Sequence, residues 1–169
     1  MTKGRVIASV LVALVVAGVW VLHAMGLLHR PVAIARQGDR FPVFAVQTTD
    51  DRSLTLGAGP SHGIVVYNVF TSWCPACKEE LPDVRQAAAE LHDVRFVGID
   101  QGEPPALVAA FAARAQLPFP VVVDTSSATN RLLGARMIPE TLIVRDGVIK
   151  RVIVGPTTRE SLISAVRGV

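Results

Sequence analysis

Cysteine is nearly missing from this chain of 169 residues: Cys74 and Cys77 are the only two. A structural zinc site takes four ligands, and there is no second cysteine pair to complete one. Basic runs are missing as well. The pI of about 9.3 suggests a basic protein, yet from Gln37 onward 13 Lys+Arg stand against 14 Asp+Glu. The other four basic residues, Lys3, Arg5, Arg30 and Arg36, flank an apolar stretch, so the excess charge is local and no nucleic-acid surface follows from it. Internal repeats and low-complexity tracts are absent too. Charge itself vanishes over Val6–Leu28, 23 residues without Asp, Glu, Lys or Arg. A helix of that length spans a hydrocarbon core of about 30 Å. Lys3 and Arg5 ahead of it predict a cytoplasmic N-terminus and an exported remainder. A cleaved signal peptide has an apolar region of roughly 7–15 residues and a small-residue cleavage site; this run is longer and no clear site follows. The expectation is an uncleaved single-pass anchor over residues 1–29, a tether over 30–40 and a domain over 41–169, with the lipid bilayer as a partner.

The two cysteines sit in an informative place. Ile64 to Phe70 is a dense apolar run, read as a central strand. Thr71-Ser72-Trp73 turns, and a helix opens at Pro75 with Cys74 at its N-cap position. A thiol there faces unpaired N–H groups and the positive end of the helix dipole, which lowers its pKa from about 8.5 into a range of roughly 3.5–7.5. Cys77, one turn deeper, is the natural resolving thiol. The spacing proposes dithiol–disulfide exchange. A purely structural disulfide is the bland alternative, although such bridges usually close longer loops.

Around this centre the chain alternates strands and helices. Phe41–Val46 and Ser53–Leu56 read as short strands. The helix from Pro75 runs to about His92 with Pro82 inside it, followed by a strand over Val94–Asp100 and a helix over Pro105–Gln116. Pro120–Asp124 is a strand and Ser126–Leu133 a short helix. Thr141–Val144 and Val148–Val154 form a hairpin about Asp146-Gly147. Thr157-x-x-Glu160 reads as a capping box opening a last helix that ends at Gly168. The pattern predicts an α/β domain with a mixed central sheet flanked by helices.

Trp73-Cys74-Pro75-Ala76-Cys77-Lys78 resembles the active-site motif of the thioredoxin fold, W-C-x-x-C-K. Pro82 matches that fold's kink proline, and Ile138-Pro139-Glu140-Thr141 resembles its cis-proline loop. The strand–helix segment from about Glu103 to Leu133, the N-terminal anchor and Glu80-x-Pro82 are similar to membrane-anchored TlpA/ResA-type oxidoreductases. The P-E-T form of the proline loop also resembles the CcmG/DsbE branch of cytochrome c maturation. The resemblance implies a thioredoxin fold with a strand–helix insertion and an extracytoplasmic thiol:disulfide oxidoreductase that needs no metal or organic cofactor. It implies exported protein thiols and disulfides as partners, apocytochrome c leading, and a membrane dithiol as electron donor. Cys74, Cys77 and Glu80 become the catalytic residues. Trp73, Pro75, Ala76, Ile138 and Pro139 become the substrate-binding ones, with Pro139 in cis. Thioredoxin carries a buried aspartate six residues before its first cysteine; here Asn68 stands there and cannot titrate, which brings Glu80 forward. On a helical wheel Glu80 lies about 60° from Cys77, on the flank of the apolar stripe; the rival reading is a surface carboxylate favoured by the dipole. Three other readings stand beside exchange. Thr71, three before Cys74, resembles the T-x-x-C of peroxiredoxins, although Tyr67 occupies their proline position. A non-catalytic client-binding module and a metallochaperone are the others.

Overall fold

The structure, a computed structural model, describes residues 3–24, 35–57, 63–124, 128–135 and 137–169. It divides into two units, Met1–Val32 and Ala33–Val169. In the first, helix α1 covers Lys3–Ala24. The remaining part of the expected span, up to residue 29, and the start of the expected tether lie outside the described residues. Among the described residues no helix is long and apolar enough to cross a membrane. The side chains described on α1, those of residues 9–22, are all exposed.

In the second unit the elements follow in the order β1 Phe44–Gln47, β2 Ser53–Leu56, β3 Ile64–Phe70, α2 Pro75–Glu90, β4 Arg95–Asp100, α3 Pro105–Arg114, β5 Val121–Val122, α4 Ala128–Leu133, β6 Glu140–Arg145, β7 Val148–Val154 and α5 Arg159–Arg167. Five strands make a mixed sheet in the order β5-β4-β3-β6-β7. β3 is parallel to β4 and antiparallel to β6. This is the thioredoxin-like α/β arrangement expected; α3, β5 and α4 lie between β4 and β6.

β3 is central because nearly all of it is apolar and buried on both faces. Its side chains alternate. Val65, Tyr67 and Val69 join one core with Phe41, Leu56, Ile99 and Leu142. Val66 enters a second core with Val84 and Ala87 of α2 and Leu162 and Val166 of α5. Phe70 enters a third with Cys74, Cys77 and Leu81, closed by Val108 and Phe111 of α3. The same alternation turns Asn68, between Val66 and Phe70, towards α2.

Both sheet edges are covered. Residues 36–41, read from sequence as the tether's end and the start of the first strand, bond to the β7 edge: Gly38 N–H donates to Ile149 O at 2.8 Å and Phe41 N–H to Gly147 O at 2.9 Å. β1 therefore begins at Phe44, and Phe41 stacks on Tyr67 with ring centroids 4.2 Å apart. At the other edge Thr49 N–H donates to Val121 O and Val123 N–H to Gln47 O, each at 2.9 Å. The Asp146-Gly147 turn has positive φ at both residues, 54° and 73°, the type I′ geometry that suits a two-residue hairpin. The expected capping box is displaced by one residue. Thr158, not Thr157, is the N-cap of α5, accepting from Ser161 N–H, while Glu160 pairs with Arg159 at 2.7 Å. The Thr157 main chain is engaged elsewhere, as described next.

Candidate active site

The site lies where β3 hands the chain to α2. Cys74 takes an extended backbone (φ −76°, ψ 117°) and caps α2: its sulfur accepts from Cys77 N–H at 3.2 Å. Pro75 starts the helix where its missing N–H costs nothing. Cys74 and Cys77 are joined as a disulfide, with Cα atoms 5.3 Å apart. The sequence places Cys74 as the exposed thiol and Cys77 as the shielded one. Cys77 is indeed 0% exposed, but Cys74 shows only 5%, because its sulfur turns inward to Cys77 and joins the Phe70–Leu81–Val108 core.

The rim is apolar. Trp73 is 65% exposed, Pro75 is exposed and Ala76 half-buried. The Ile138-Pro139 peptide is cis. Ile138 packs against the cluster that holds both cysteines, and Pro139 is buried with its carbonyl accepting from Gly155 N–H at 2.9 Å. All five residues that the resemblance put forward for substrate binding therefore belong to the cysteine turn or to a loop packed against it. Met137, beside Ile138, is also largely exposed and went unnoticed in the sequence.

Glu80 is more enclosed than the helical wheel suggested, at 2% exposure. Its Oε1 accepts from Asn68 Nδ2 at 2.8 Å and its Oε2 from Thr157 N–H at 3.0 Å. Asn68 Nδ2 also donates to Thr141 Oγ1 at 3.1 Å, its register partner across β3 and β6. Burial pushes the Glu80 carboxyl above its usual range, with Asp83 adding to the rise, against the two hydrogen bonds, which favour the ionised form. Lys78 and Glu79, its neighbours on α2, are exposed. Asn68 Oδ1 is buried without a hydrogen-bond partner among the described residues. The residue that removed one buried acid is thus the one that holds the other.

An acidic pair escaped the sequence reading. Asp100, the last residue of β4, and Glu103, three further on, are both buried. Glu103 accepts from Ser72 of the cysteine turn. Their only sequence signal was position, at the carboxyl end of a parallel strand next to the site. Among the described residues no group of three or more His, Cys, Asp or Glu side chains could hold a metal.

A dithiol that can close a disulfide at a helix terminus, backed by a buried carboxylate, is built for thiol–disulfide exchange. Comparison with known proteins agrees. The redoxin family model matches residues 36–167. The thiol-disulfide oxidoreductase ResA of Geobacillus thermodenitrificans is 27% identical over 128 residues, covering 74% of this chain and 73% of that one. The thiol:disulfide interchange protein DsbE of Allochromatium vinosum is 31% identical over 118 residues, with 68% and 65% covered. The crystal structure of a thioredoxin-family thiol:disulfide interchange protein from Chlorobium tepidum superposes with a TM-score of 0.69 at 26% identity, covering 80% of this chain and 98% of that one. The chain belongs to the redoxin family, as a thioredoxin-like thiol-disulfide oxidoreductase of the TlpA/ResA type.

Proposed function

We propose that the domain works outside the cytoplasm, held to the membrane by the apolar segment Val6–Leu28, and reduces disulfides in exported proteins. The observation that carries the chemistry is the Cys74–Cys77 pair at the head of α2 with the buried Glu80 one turn beyond. In the reduced state Cys74 thiolate attacks a client disulfide. A Cys74–client disulfide forms, and the first client sulfur leaves as thiolate and takes a proton from solvent. Cys77 then gives its proton to Glu80 and attacks Cys74 Sγ. The Cys74–Cys77 disulfide closes and the second client sulfur leaves. Two electrons have passed to the client, and a membrane dithiol restores the pair. The exposed Trp73 and the Ile138-Pro139 loop present the surface on which a client strand would lie. Apocytochrome c is the leading client, from the likeness of Pro139-Glu140-Thr141 to the CcmG/DsbE loop. The reduced protein should reduce a disulfide-bonded apocytochrome c peptide and restore its two thiols; failure to reduce it while insulin is reduced would remove that client.

The order of the thiols is open to direct test. At 5% against 0% exposure, and alone at the helix terminus, Cys74 should be the thiol that iodoacetamide modifies first in the reduced protein near pH 7. Peptide mapping that found Cys77 labelled first would reverse the assignment.

Anchoring rests on α1. Consecutive residues Val10, Leu11 and Val12, then Leu14, Val15 and Val16, are each more than half exposed. At about 100° per residue they cover the helix all round. A helix apolar on every face needs an apolar surrounding, and Lys3 and Arg5 set its direction. A reporter fused to the C-terminus that is active only in the cytoplasm should stay silent. A bright cytoplasmic signal would overturn the compartment.

A further inference from the structure

Of the buried acids that the exchange scheme leaves without a task, two meet at the cysteine turn. Asp100 is 0% exposed and Glu103 6%. Glu103 turns both carboxylate oxygens on Ser72, two residues before Cys74: Oε2 accepts the Ser72 N–H at 2.5 Å and Oε1 the hydroxyl at 2.6 Å. Asp100 stands behind it, with Oδ1 accepting from Glu103 N–H at 2.9 Å. Asp100 Oδ2 is buried with no hydrogen-bond partner among the described residues. Gln101 N–H, between the two acids, donates to Phe70 O at 3.1 Å, so the loop after β4 is fastened both to the end of β3 and to the cysteine turn.

Two carboxylates this close and this dry do not both ionise cheaply. Glu103 has a donor from Ser72 on each oxygen, whereas Asp100 keeps one buried oxygen without a donor among the described residues, which makes Asp100 the natural holder of a proton. We propose that Glu103 is a positioning residue, an ionised carboxylate that clamps Ser72 and so sets the turn carrying Cys74, and that a proton resident on Asp100 keeps the pair singly charged. The proposal rests on the reading of Cys74 as the attacking thiol.

The electrostatics agree with this division. Burial, then the side-chain bond and the charge of Glu103, pushes Asp100 up to about 7, against the main-chain N–H groups of Glu103 and Gln101, which favour the ionised form. Burial also works against Glu103, but the Ser72 bonds, the proton of Asp100 and Lys78 outweigh it and hold the carboxyl below its usual range. Among the described residues the leading charges on the pair are each other and Lys78 of α2, and the turn after β3 faces Glu103 with the hydroxyl and main-chain N–H of Ser72. When Asp100 loses its proton near neutral pH, a second negative charge arises behind the turn and opposes the Cys74 thiolate. A mere structural staple would change stability but add no such step.

The test is the rate of Cys74 alkylation by iodoacetamide against pH, from 5 to 9, on the reduced full chain in detergent. Glu80→Gln serves as background so that the carboxyl on α2 does not contribute. The background protein should show two ionisations, with the step belonging to the pair changing the rate by about threefold. Asp100→Asn replaces the proton with an amide N–H towards Glu103, so it should leave a single ionisation. Ser72→Ala removes one donor from Glu103, destabilises the doubly charged pair and should move the step to higher pH. A one-step profile on Cys74 in the background protein, or an Asp100→Asn or Ser72→Ala profile superposable on it, overturns the clamp. If Asp100→Asn fails to fold, Ser72→Ala decides alone. Label arriving first on Cys77 would instead bring down the attacking-thiol reading, a separate outcome.

Discussion

Cys77→Ser should cut turnover of a disulfide substrate by about 10³-fold or more while leaving the first attack intact. The geometry separates the two steps. Cys74 owes its reactivity to its position as N-cap of α2, and the Cys77 contact it accepts there is from the main-chain N–H, which serine also provides. What serine lacks is the sulfur that attacks Cys74 Sγ from inside. Without it the mixed disulfide waits for an external thiol, and an intramolecular step becomes a bimolecular one. A hydroxyl at a position 0% exposed, packed among Phe70, Leu81 and Val108, costs about 1–3 kcal/mol. Circular dichroism therefore accompanies the kinetics to confirm that the domain is folded. Turnover within tenfold of the parent would mean that Cys77 does not resolve the intermediate.

Glu80→Gln should slow resolution by about 10–100-fold at neutral pH, with the first attack changed far less. The ionised carboxylate is the form matched to its two donors, Asn68 Nδ2 and Thr157 N–H, and the form that can take the Cys77 proton. Burial opposes that form and lifts the pKa from its ordinary value of 4.5. In the parent, resolution should therefore weaken as pH falls through the raised pKa, because a protonated Glu80 accepts nothing. Stability moves the other way. A carboxyl whose folded pKa is raised binds its proton more tightly in the folded state, so its contribution is fully favourable below the unfolded value and is lost as pH rises through the folded one. Glu80→Gln should accordingly flatten both profiles. Single-turnover rates measured from pH 5 to 9 that match the parent would leave Glu80 a buried structural acid and remove the base from the mechanism.

What the sequence made legible was local. A strand, a turn and a helix carrying C-x-x-C are defined by contiguous residues, and the β3 run and the Asp146-Gly147 turn carry their own signals. What stayed hidden depended on distant segments. A helical wheel sees only α2, so it put Glu80 on a flank. The Thr157 main chain, 77 residues away, closes over it. With threonines at both 157 and 158 the cap was read one residue early, at Thr157, whose N–H is instead the donor to Glu80. Asn68 could be recognised as a lost acid, but its role as a donor needs the α2-facing alternation of β3. Residues 36–40 carry Gly and Arg and read as linker, yet a sheet edge recruits main chain whatever the side chains. Asp100 read as a strand end and Glu103 as a loop acid, because nothing local shows that Ser72 lies against Glu103.

In the proposed mechanism Cys74 is the sulfur exchanged with the client, and every later step depends on that role. Its most direct test is to mix the reduced full-length Cys77→Ser protein with a disulfide-bonded peptide, digest without reductant and read the cross-link by mass spectrometry. The result predicted is one peptide per chain, joined to Cys74 and released by dithiothreitol. Peptide held without a covalent bond, or turnover that survives Cys74→Ser, would contradict it.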